Sequence, residues 1–425
     1  MNETKKSKLP KILALALAAA LIVGLGVWAI LGGLGGDDTG SNSTQAGTQS
    51  GSGSGTANVT ADGAIDASAL FSSRDLRQAA DLQEAVTREV TDGSDISITT
   101  AGVYILSGSA KNATICVEAD KEDRVQLVLN GLEVVNDDSP VIYVKCADKV
   151  FITTAENSEN TLSVTGTFTA DGTTNTDAVI FSKDDLVLNG LGSLTIESSD
   201  NGISGKDGIK LTGGTLRVTA ADCAIEVNDY FAMSDGAVTL SAGNDGIHSE
   251  NNGDTSLGWI YISGGTMDIT AADDALHALS IAQIDGGVFH ISAAEGIEAS
   301  WAQINDGELT IAASDDGING ARKSTVYSTC VEINGGTLTI TMAQGDTDGI
   351  DSNGDLTITG GTISVNAQSA FDWDGTLTWT GGTVSVNGTE VTEITNQFGV
   401  TGGFTGGPGG QVGFPGGGSG GSGMP

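Results

Sequence analysis

The stretch that decides the fold lies in the second half of the chain, residues 264–320, and reads GGTMDITAADDALHALSIAQIDGGVFHISAAEGIEASWAQINDGELTIAASDDGING. Three related segments follow one another in it: GGTMDITA at Gly264, GGVFHISA at Gly286 and DGELTIAA at Asp306. In each segment apolar and polar residues alternate after a glycine-containing corner, as in a short β-strand that is buried on one side. The stretch therefore predicts a strand that recurs every 20 to 22 residues.

This segment occurs nine times between Gly192 and Gly381. Successive copies are 22, 22, 29, 22, 20, 29, 25 and 21 residues apart, and the long steps contain polar insertions such as NNGDTSLG and GARKSTVYST. Two further columns share the period: an acidic-Gly-apolar segment, and an apolar residue before each Gly-Gly corner. Three short strands per turn predict a solenoid, because the apolar residues of one turn leave water only by stacking on the turns above and below.

The sequence thus predicts an all-β protein whose body, residues 96–390, is a right-handed three-sheet parallel β-helix, a pectate-lyase-like solenoid. The right-handed sense follows from the general rule for parallel crossovers. Corner glycines are expected at positive φ. Residues 63–95 are expected to cap the open N-terminal end of the core. One inward stack is expected to contain Ile203, Ile225, Ile247, Leu276, Ile297, Ile318, Ile350 and Phe371.

The two ends of the chain differ from this body. Residues 1–36 contain four lysines before an uncharged apolar run, residues 12–31, which is long enough for a membrane helix. The lysines place the N-terminal end in the cytoplasm, so we expect a single-pass anchor in a bacterial cell membrane with the body outside. Secretion after signal-peptide cleavage is the alternative. Residues 37–62 are predicted to be a flexible Gly/Ser/Thr linker, and residues 391–425 a disordered glycine-rich tail.

The net charge of −36 makes nucleic acid an unfavourable partner and attracts cations, although acidity also keeps an exported protein soluble.

The four cysteines lack C-x-x-C spacing and partner histidines, which argues against a zinc or redox site built on them. Buried structural roles are expected for all four, and Cys116 and Cys146 are candidates for a pair across neighbouring turns. We expect a monomer.

Acidic residues recur in the second column of the repeat. Neighbouring turns of a β-helix are about 4.8 Å apart, so these residues form a ladder. Two carboxylates at that distance repel by roughly 1 kcal/mol in water and about 3.5 kcal/mol at an effective dielectric constant of 20. Ca²⁺ would compensate this repulsion, whereas the alternative is that Asp and Asn side chains bind corner amides as turn formers. The candidate calcium ligands are Asp273, Asp274, Glu295, Glu298, Asp315, Asp316, Asp348 and Asp351.

The segments SKDDLVLNGLGSLTIESSDNGISGKDGIKLTGGTLRVTAADCAI, DDALHA, EGIEAS, DDGING and DGIDSNGDLTITGGTISV occur in this order. With them the chain resembles, from about Phe71 to Val386, a family of secreted bacterial carbohydrate-binding β-helix proteins that includes a clostridial cellulose- and pectin-binding protein. The resemblance implies a polysaccharide-lyase-like fold, calcium on the acid-rich turns and affinity for plant-type polysaccharides, without implying catalysis. Where the family reads D-G-I, this chain has Cys223-Ala224-Ile225 and Ser369-Ala370-Phe371, so calcium is not expected at those turns.

An eliminase of the pectate-lyase kind needs a lysine or arginine beside its calcium as proton abstractor. Between Thr270 and Val386 the only lysine and arginine are Arg322 and Lys323, both in an insertion. We therefore expect a non-catalytic, calcium-dependent cell-surface protein that binds uronate-rich, pectin-like or cellulose-like polysaccharide. A polysaccharide lyase and a structural surface adhesin are the alternatives. The candidate sugar-binding residues are Trp301, Arg322, Lys323, Tyr327 and Trp373.

Overall fold

The computed structural model describes residues 65–345 and 347–396. The expected membrane segment 12–31, the linker 37–62 and residues 397–425 of the tail lie outside this part of the chain. Within the described part, no helix is both long and apolar enough to cross a membrane. The described residues form 34 β-strands and one short 3-10 turn, Ala67–Ala69, so they are all-β as expected.

The strands are numbered in chain order, and most of them are three to six residues long. The first twelve are β1 (Val86–Glu89), β2 (Ile96–Ile98), β3 (Gly102–Lys111), β4 (Ile115–Glu118), β5 (Arg124–Asn136), β6 (Ile142–Cys146), β7 (Lys149–Thr154), β8 (Glu159–Val164), β9 (Ala178–Ser182), β10 (Asp185–Gly190), β11 (Ser193–Ser198) and β12 (Asn201–Gly205). The next eleven are β13 (Gly208–Leu211), β14 (Thr215–Ala220), β15 (Ile225–Val227), β16 (Tyr230–Met233), β17 (Ala237–Ala242), β18 (Ile247–Ser249), β19 (Trp259–Ile262), β20 (Thr266–Ala271), β21 (Asp274–Ile284), β22 (Val288–Ala293) and β23 (Glu295–Ile304). The last eleven are β24 (Glu308–Ala313), β25 (Asp316–Gly320), β26 (Cys330–Ile333), β27 (Thr337–Met342), β28 (Asp348–Ser352), β29 (Asp355–Ile358), β30 (Thr362–Asn366), β31 (Ser369–Trp373), β32 (Leu377–Trp379), β33 (Thr383–Val386) and β34 (Thr389–Glu390).

All of these strands except β34 pair in parallel, each with the corresponding strand of the next turn, and so form three columns that we call sheets A, B and C. The last strand, β34, pairs antiparallel with β33. Sheet A contains the second halves of β3 and β5, followed by β8, β11, β14, β17, β20, β22, β24, β27, β30 and β33. Sheet B contains β2, β4, β6, β9, β12, β15, β18, β25, β28, β31 and the first halves of β21 and β23. Sheet C contains β1, the first halves of β3 and β5, β7, β10, β13, β16, β19, the second halves of β21 and β23, β26, β29 and β32. The architecture is therefore a parallel three-sheet solenoid, and its right-handed sense stays a prediction.

Sheet A confirms the repeat on which the prediction of the fold depends. Its inward residues are all buried and lie one above another in the predicted register: Leu194, Leu216, Val238, Met267, Phe289, Leu309, Leu338, Ile363 and Val384. The stack expected in sheet B, from Ile203 to Phe371, is present without a slip. Full burial of such a side chain contributes roughly 1.5–3 kcal/mol, so the two stacks hold successive turns together.

Corner glycines behave as the sequence predicted. The second glycine of the Gly-Gly corners has a positive φ, for example +83° at Gly214, +91° at Gly265 and +77° at Gly336. Residues with a side chain rarely adopt this conformation, so the chain turns there at low energetic cost only because glycine is present.

Residues 65–78 lie along the outer face of sheet C rather than over the N-terminal end of the core, where the sequence suggested a cap. The backbone N–H of Ile65 donates to Gln283 Oε1 over 2.5 Å, and Gln78 Nε2 donates to the carbonyl of Thr212 over 2.7 Å. We call this segment the strap. It covers an apolar patch of the outer face, with which it forms a small second core containing Ile65, Ala67, Leu70, Phe71, Tyr230, Trp259, Tyr261 and Ile281.

The four cysteines are free thiols. The suggested Cys116–Cys146 pair is not formed, because the register of sheet B places Cys116 opposite Tyr143 and Cys146 opposite Glu118. Cys223 is buried, and the other three are half-buried.

Candidate functional site

The acidic ladder predicted from the sequence lies on sheet B in two columns. In the first column, Asp274 lies opposite Glu295 and Asp316 lies opposite Asp348. The second column begins three residues later on each turn and contains His248, His277, Glu298, Asn319, Asp351 and Asp372. Side chains one period apart therefore lie on adjacent strands, as the ladder requires.

Two histidines lie in what we call the upper part of the ladder, which comprises Asp245, His248, Asp274, His277 and Glu298. Each histidine is bound to a carboxylate three residues earlier. The Nδ1 atom of His248 lies 2.6 Å from Asp245 Oδ2, and that of His277 lies 2.6 Å from Asp274 Oδ2. The two imidazole rings stack with centroids 4.4 Å apart and planes at 21°. Both aspartates are almost fully buried, with 3% and 4% of their surface exposed.

Lys323 supplies positive charge to this upper part. Its Nζ donates to Glu298 Oε2 and lies 3.0 Å from His277 Nε2. Burial alone would raise the pKa of Glu298, but hydrogen bonds from His277 and Lys323 outweigh it and lower the pKa to about 2. Burial alone would lower the pKa of His277, yet its bonds to Asp274 and Glu298 raise it to about 9. These cations therefore balance Glu298, whereas burial, with help from Glu298 and Asp245, still raises the pKa of Asp274 to about 6.

What we call the lower part of the ladder comprises Glu295, Asp316, Asn319, Asp348, Asp351 and Asp372. Among the described residues, no cation balances its carboxylates as Lys323 balances Glu298. Burial, reinforced by neighbouring carboxylates, raises the pKa of Glu295 to about 8, that of Asp316 to about 7 and that of Asp351 to about 6. Among the described residues, no lysine or arginine forms an ion pair with these three side chains. In the adjoining positions, Asn319 Oδ1 and Asp372 Oδ1 are buried without a hydrogen-bond partner. This part of the site combines carboxylates on adjacent strands with negative charge that no lysine or arginine of the described residues balances.

The turn-forming alternative accounts for some of the acidic oxygens. Asp245 Oδ1 accepts a hydrogen bond from the backbone N–H of Asp274 over 2.9 Å, and Asp316 Oδ1 accepts one from that of Asp348 over 3.1 Å. Each of these bonds uses one oxygen of a carboxylate that has two. Turn formation therefore explains the aspartates only in part. Side-chain amides also donate to Glu295 Oε2 over 3.1 Å and to Asp351 Oδ2 over 2.9 Å.

Three of the eight predicted calcium ligands differ from the rest in their surroundings. Asp273 and Asp315 precede their strands and have exposed side chains, so they lie at the rim of the ladder rather than inside it. Asp348 lies within the ladder and accepts a hydrogen bond from Ser369 Oγ, on the turn where the sequence departs from the D-G-I pattern.

The two basic candidates for sugar binding both contact acidic residues. Arg322 Nη2 lies 2.8 Å from Asp374 Oδ2 on the surface, and Lys323 is bound to Glu298 as described above. Lys323 thus belongs to the ladder itself, whereas Arg322 lies at its exposed margin.

The three aromatic candidates do not form a common platform on the ladder. Trp301 lies on sheet C, where its Nε1 donates to Glu332 Oε2 over 3.2 Å and its ring packs against the core beneath the strap. Tyr327 packs against the same core. Trp373 follows Ser352 in an inward stack of sheet B and packs against the main core. Trp373 thus lies in an inward stack rather than on the outer surface of the ladder, and its part in sugar binding stays a prediction.

Sequence reasoning missed Glu250, whose Oε2 lies 3.4 Å from His248 Nε2 and 3.7 Å from His277 Nε2. Glu250 follows the end of β18 and begins a polar insertion, so it has no counterpart in the repeat. The repeat period therefore gave no indication that Glu250 lies at the site. The stacked pair Tyr230 and Trp259, with ring centroids 4.5 Å apart, was also missed, and it lies in the core beneath the strap.

The chain is similar to known carbohydrate-binding proteins. A family model described as carbohydrate-binding domain-containing protein matches residues 92–347 and 300–403. A relative of the same description from Acetivibrio thermocellus is 34% identical over 123 residues, which are 28% of this chain and 43% of the relative, so the chain spans less than half of that relative's length. The solved structure of a polysaccharide lyase-like protein from C. thermocellum, a gadolinium derivative, is 27% identical with a TM-score of 0.45, covering 53% of this chain and 96% of that one. Because the family matches extend over well more than half of its residues, the chain belongs to the family of carbohydrate-binding domain-containing proteins.

Proposed function

We propose that the protein is a non-catalytic polysaccharide-binding protein that holds uronate-rich, pectin-like chains through Ca²⁺ bound to the lower part of the acidic ladder. The observation that carries the proposal is the unbalanced charge there: the pKa values of Glu295 and Asp316 are raised to about 8 and about 7, since burial and neighbouring carboxylates oppose their ionisation. A bound divalent cation would remove this cost.

The residues present fit calcium. Ca²⁺ prefers six to eight oxygen ligands from carboxylates, amide carbonyls and water, and it tolerates irregular geometry. The lower ladder offers carboxylates from two adjacent columns and the unpartnered amide oxygen of Asn319. The residues that would hold the ion are Glu295, Asp316, Asn319, Asp348 and Asp351. Calcium at this position would present open coordination sites to a uronate carboxylate, which lets an acidic protein bind an acidic polymer.

The upper part of the ladder has a different role in this proposal. Asp274 and Glu298 were expected among the calcium ligands, but each is already bound to His277, and Glu298 also binds Lys323. An ammonium and an imidazole compete with calcium for the same oxygens, and their charge repels a second cation. We therefore assign these two side chains to a protein-internal network that orients the ladder.

The placement of the aromatic residues favours uronates over cellulose-like glucans as ligands. Neutral glucans bind through exposed aromatic faces, but the ring of Trp301 packs beneath the strap and that of Trp373 packs against the main core. A ligand that binds through its charge does not need such a platform. The negative surface then makes calcium a requirement for binding rather than an accessory.

A polysaccharide lyase stays the second candidate, because Lys323 lies beside the ladder as a base of that kind would. Its Nζ is, however, bound to Glu298 and to His277, so it is not free to take a proton from a sugar. Non-catalytic binding is therefore the function that the geometry supports better.

We further propose that residues 12–31 anchor the protein in the cell membrane with the solenoid outside, since lysines precede that apolar run.

The test is binding of polygalacturonate to the full-length protein, measured by isothermal titration calorimetry with calcium and with excess chelator. We expect binding with calcium and its loss in chelator. The double variant Asp316→Asn, Asp351→Asn removes two of the proposed ligands and should weaken calcium-dependent binding at least about tenfold, equivalent to about 1.4 kcal/mol.

Asp268→Asn is the matched control, because Asp268 is an exposed aspartate on sheet A, away from the ladder. It should bind as tightly as the unmodified protein. Full affinity in chelator, or equal losses in the control and the ladder variant, would contradict the calcium bridge. Release of unsaturated products from polygalacturonate would favour the lyase instead.

A further inference from the structure

The two stacked histidines of the ladder point toward a common carboxylate. Both Nδ1 atoms are bound to aspartates, and the Nε2 atom of each imidazole faces Glu250, although that of His277 also lies 3.0 Å from Lys323 Nζ. Those atoms lie 3.4 Å and 3.7 Å from Glu250 Oε2. The three atoms come from two adjacent turns of the solenoid, and together they form a compact set of ligands.

The distances within this set match those of a tetrahedral metal site. Zinc binds imidazole nitrogen and carboxylate oxygen at about 2.0–2.2 Å, so two ligand atoms of a tetrahedral ion lie about 3.3 Å apart. One ligand atom from each of His248, His277 and Glu250 lies within 4.8 Å of the other two, and the distances from Glu250 Oε2 to the two Nε2 atoms, 3.4 Å and 3.7 Å, are close to the tetrahedral value. Only small side-chain movements would be needed for these three residues to coordinate one ion.

The aspartates provide the outer support that metal-binding histidines usually have. A histidine ligand commonly donates its other ring N–H to a carboxylate, which fixes the ring and makes the coordinating nitrogen more basic. Asp245 and Asp274 hold both Nδ1 atoms at 2.6 Å, and both are nearly fully buried. Two of the three histidines of the chain are placed in this way.

We propose that His248, His277 and Glu250 form a binding site for a divalent transition-metal ion of the zinc class, separate from the calcium-binding part of the ladder. Nitrogen ligands suit zinc and exclude calcium, which binds through oxygen. About a quarter of the His248 and Glu250 side-chain surfaces is exposed, so the fourth coordination position faces solvent and is open to water or to a ligand.

Lys323 occupies part of the space that the ion needs. Its ammonium lies 3.0 Å from His277 Nε2 and is held by Glu298. The metal must displace this cation, and Lys323 can move because it lies in an insertion with a quarter of its side chain exposed. The lysine should therefore weaken metal binding, and its removal should strengthen it.

The experiment is a titration of the full-length protein with Zn²⁺ by calorimetry, followed by Co²⁺ as a spectroscopic substitute. We expect one tightly bound zinc and, for cobalt, the intense visible absorption of a four-coordinate ion. His248→Gln and Glu250→Gln should each weaken zinc binding at least about tenfold. Asp245→Asn should weaken it by roughly 10- to 100-fold through loss of outer support. Lys323→Gln should bind zinc more tightly than the unmodified protein.

His290→Gln is the matched control, because His290 is an exposed histidine on sheet A. It should leave zinc affinity unchanged, and so should Asp316→Asn in the calcium part of the ladder. Zinc binding that His290→Gln weakens as much as His248→Gln, or that Glu250→Gln leaves intact, would overturn the proposal. Circular dichroism establishes that each variant is folded. Since polygalacturonate binding is measured separately, failure of the zinc site leaves the calcium proposal standing.

Discussion

At the scale of single residues, two glutamates on one strand of the ladder have different electrostatic environments. Glu295 and Glu298 lie on the same strand three positions apart, yet burial and like charges raise the pKa of the first to about 8, whereas hydrogen bonds lower that of the second to about 2. The difference arises because Lys323 and His277 reach only Glu298. An unbalanced carboxylate destabilises the metal-free fold, and a balanced one does not.

The raised pKa values predict that the metal-free protein becomes less stable as the pH rises. Glu295, Asp316 and Asp351 have folded-state pKa values of about 8, 7 and 6, above their ordinary values. Below pH about 4 these groups are protonated in both the folded and the unfolded state, so they do not change the free energy of unfolding. Between pH about 4 and about 8 the unfolded chain loses these protons more readily than the folded one, so the free energy of unfolding falls. One pKa unit corresponds to about 1.4 kcal/mol, so a fall of a few kcal/mol is expected.

Chemical denaturation across this pH range checks the prediction, with chelator in one series and calcium in the other. Calcium should flatten the curve, because a bound cation favours the ionised carboxylates. Asp316→Asn should reduce the slope in chelator. A stability that rises with pH in the metal-free protein would contradict the arrangement of charges described here.

At the scale of the strand, the glycine of the acidic-Gly-apolar segment is required by close packing. A Cβ atom on Gly317 would lie 2.4 Å from the carbonyl oxygen of Gly349 on the next turn and 2.6 Å from Ile340 Cγ2. Gly296 is in the same position one turn earlier, where a Cβ would lie 2.3 Å from the Gly317 carbonyl oxygen. The small residue lets adjacent turns approach closely, and it thereby sets the distance between successive carboxylates.

Gly317→Ala should therefore destabilise the protein by roughly 1–3 kcal/mol, the usual cost of overpacking. It should also weaken calcium binding, because the strand that carries Asp316 must shift. Gly253→Ala is the control: Gly253 is exposed, and the nearest atom to its Cβ would be Asn251 Oδ1 at 3.3 Å. Denaturation midpoints of the two variants measure the difference, and equal midpoints would refute the close-packing argument.

At the scale of the whole molecule, the strap joins turns that are far apart along the solenoid. Asp75, which is 1% exposed, lies 3.7 Å from Lys149 Nζ and 3.5 Å from Lys210 Nζ and accepts a hydrogen bond from the Ser72 N–H. Burial opposes the ionisation of Asp75, but the Ser72 bond and the two lysines hold its pKa below the ordinary value. One buried carboxylate thus fixes the strap to two strands of sheet C.

Asp75→Ala should release the strap and lower the free energy of unfolding by about 3 kcal/mol or more, because Lys210 would be left as a buried, unpaired cation. Hydrogen exchange of residues 65–78 should increase before that of the sheets. Asp81→Ala, an exposed aspartate that follows the strap, should change neither quantity. Unchanged exchange in Asp75→Ala would show that apolar contacts alone hold the strap.

The sequence by itself determined the parallel solenoid and the register of its stacks. Once the repeat is wound into turns, Ile318 must lie between Ile297 and Ile350, the equivalent residues of the two adjacent turns. The same period placed Asp316 opposite Asp348. Periodicity specifies these contacts because each turn can bury its apolar residues only against an equivalent turn.

Only the tertiary structure decided the contacts of residues outside the repeat. Lys323 and Glu250 reach the ladder from insertions, and the strap crosses sheet C instead of lying over its end. No period relates these segments to their partners, whose positions depend on surfaces that exist only after several turns have stacked. For this reason the sequence predicted a line of carboxylates, while the folded chain decided which of them have a cation beside them and which do not.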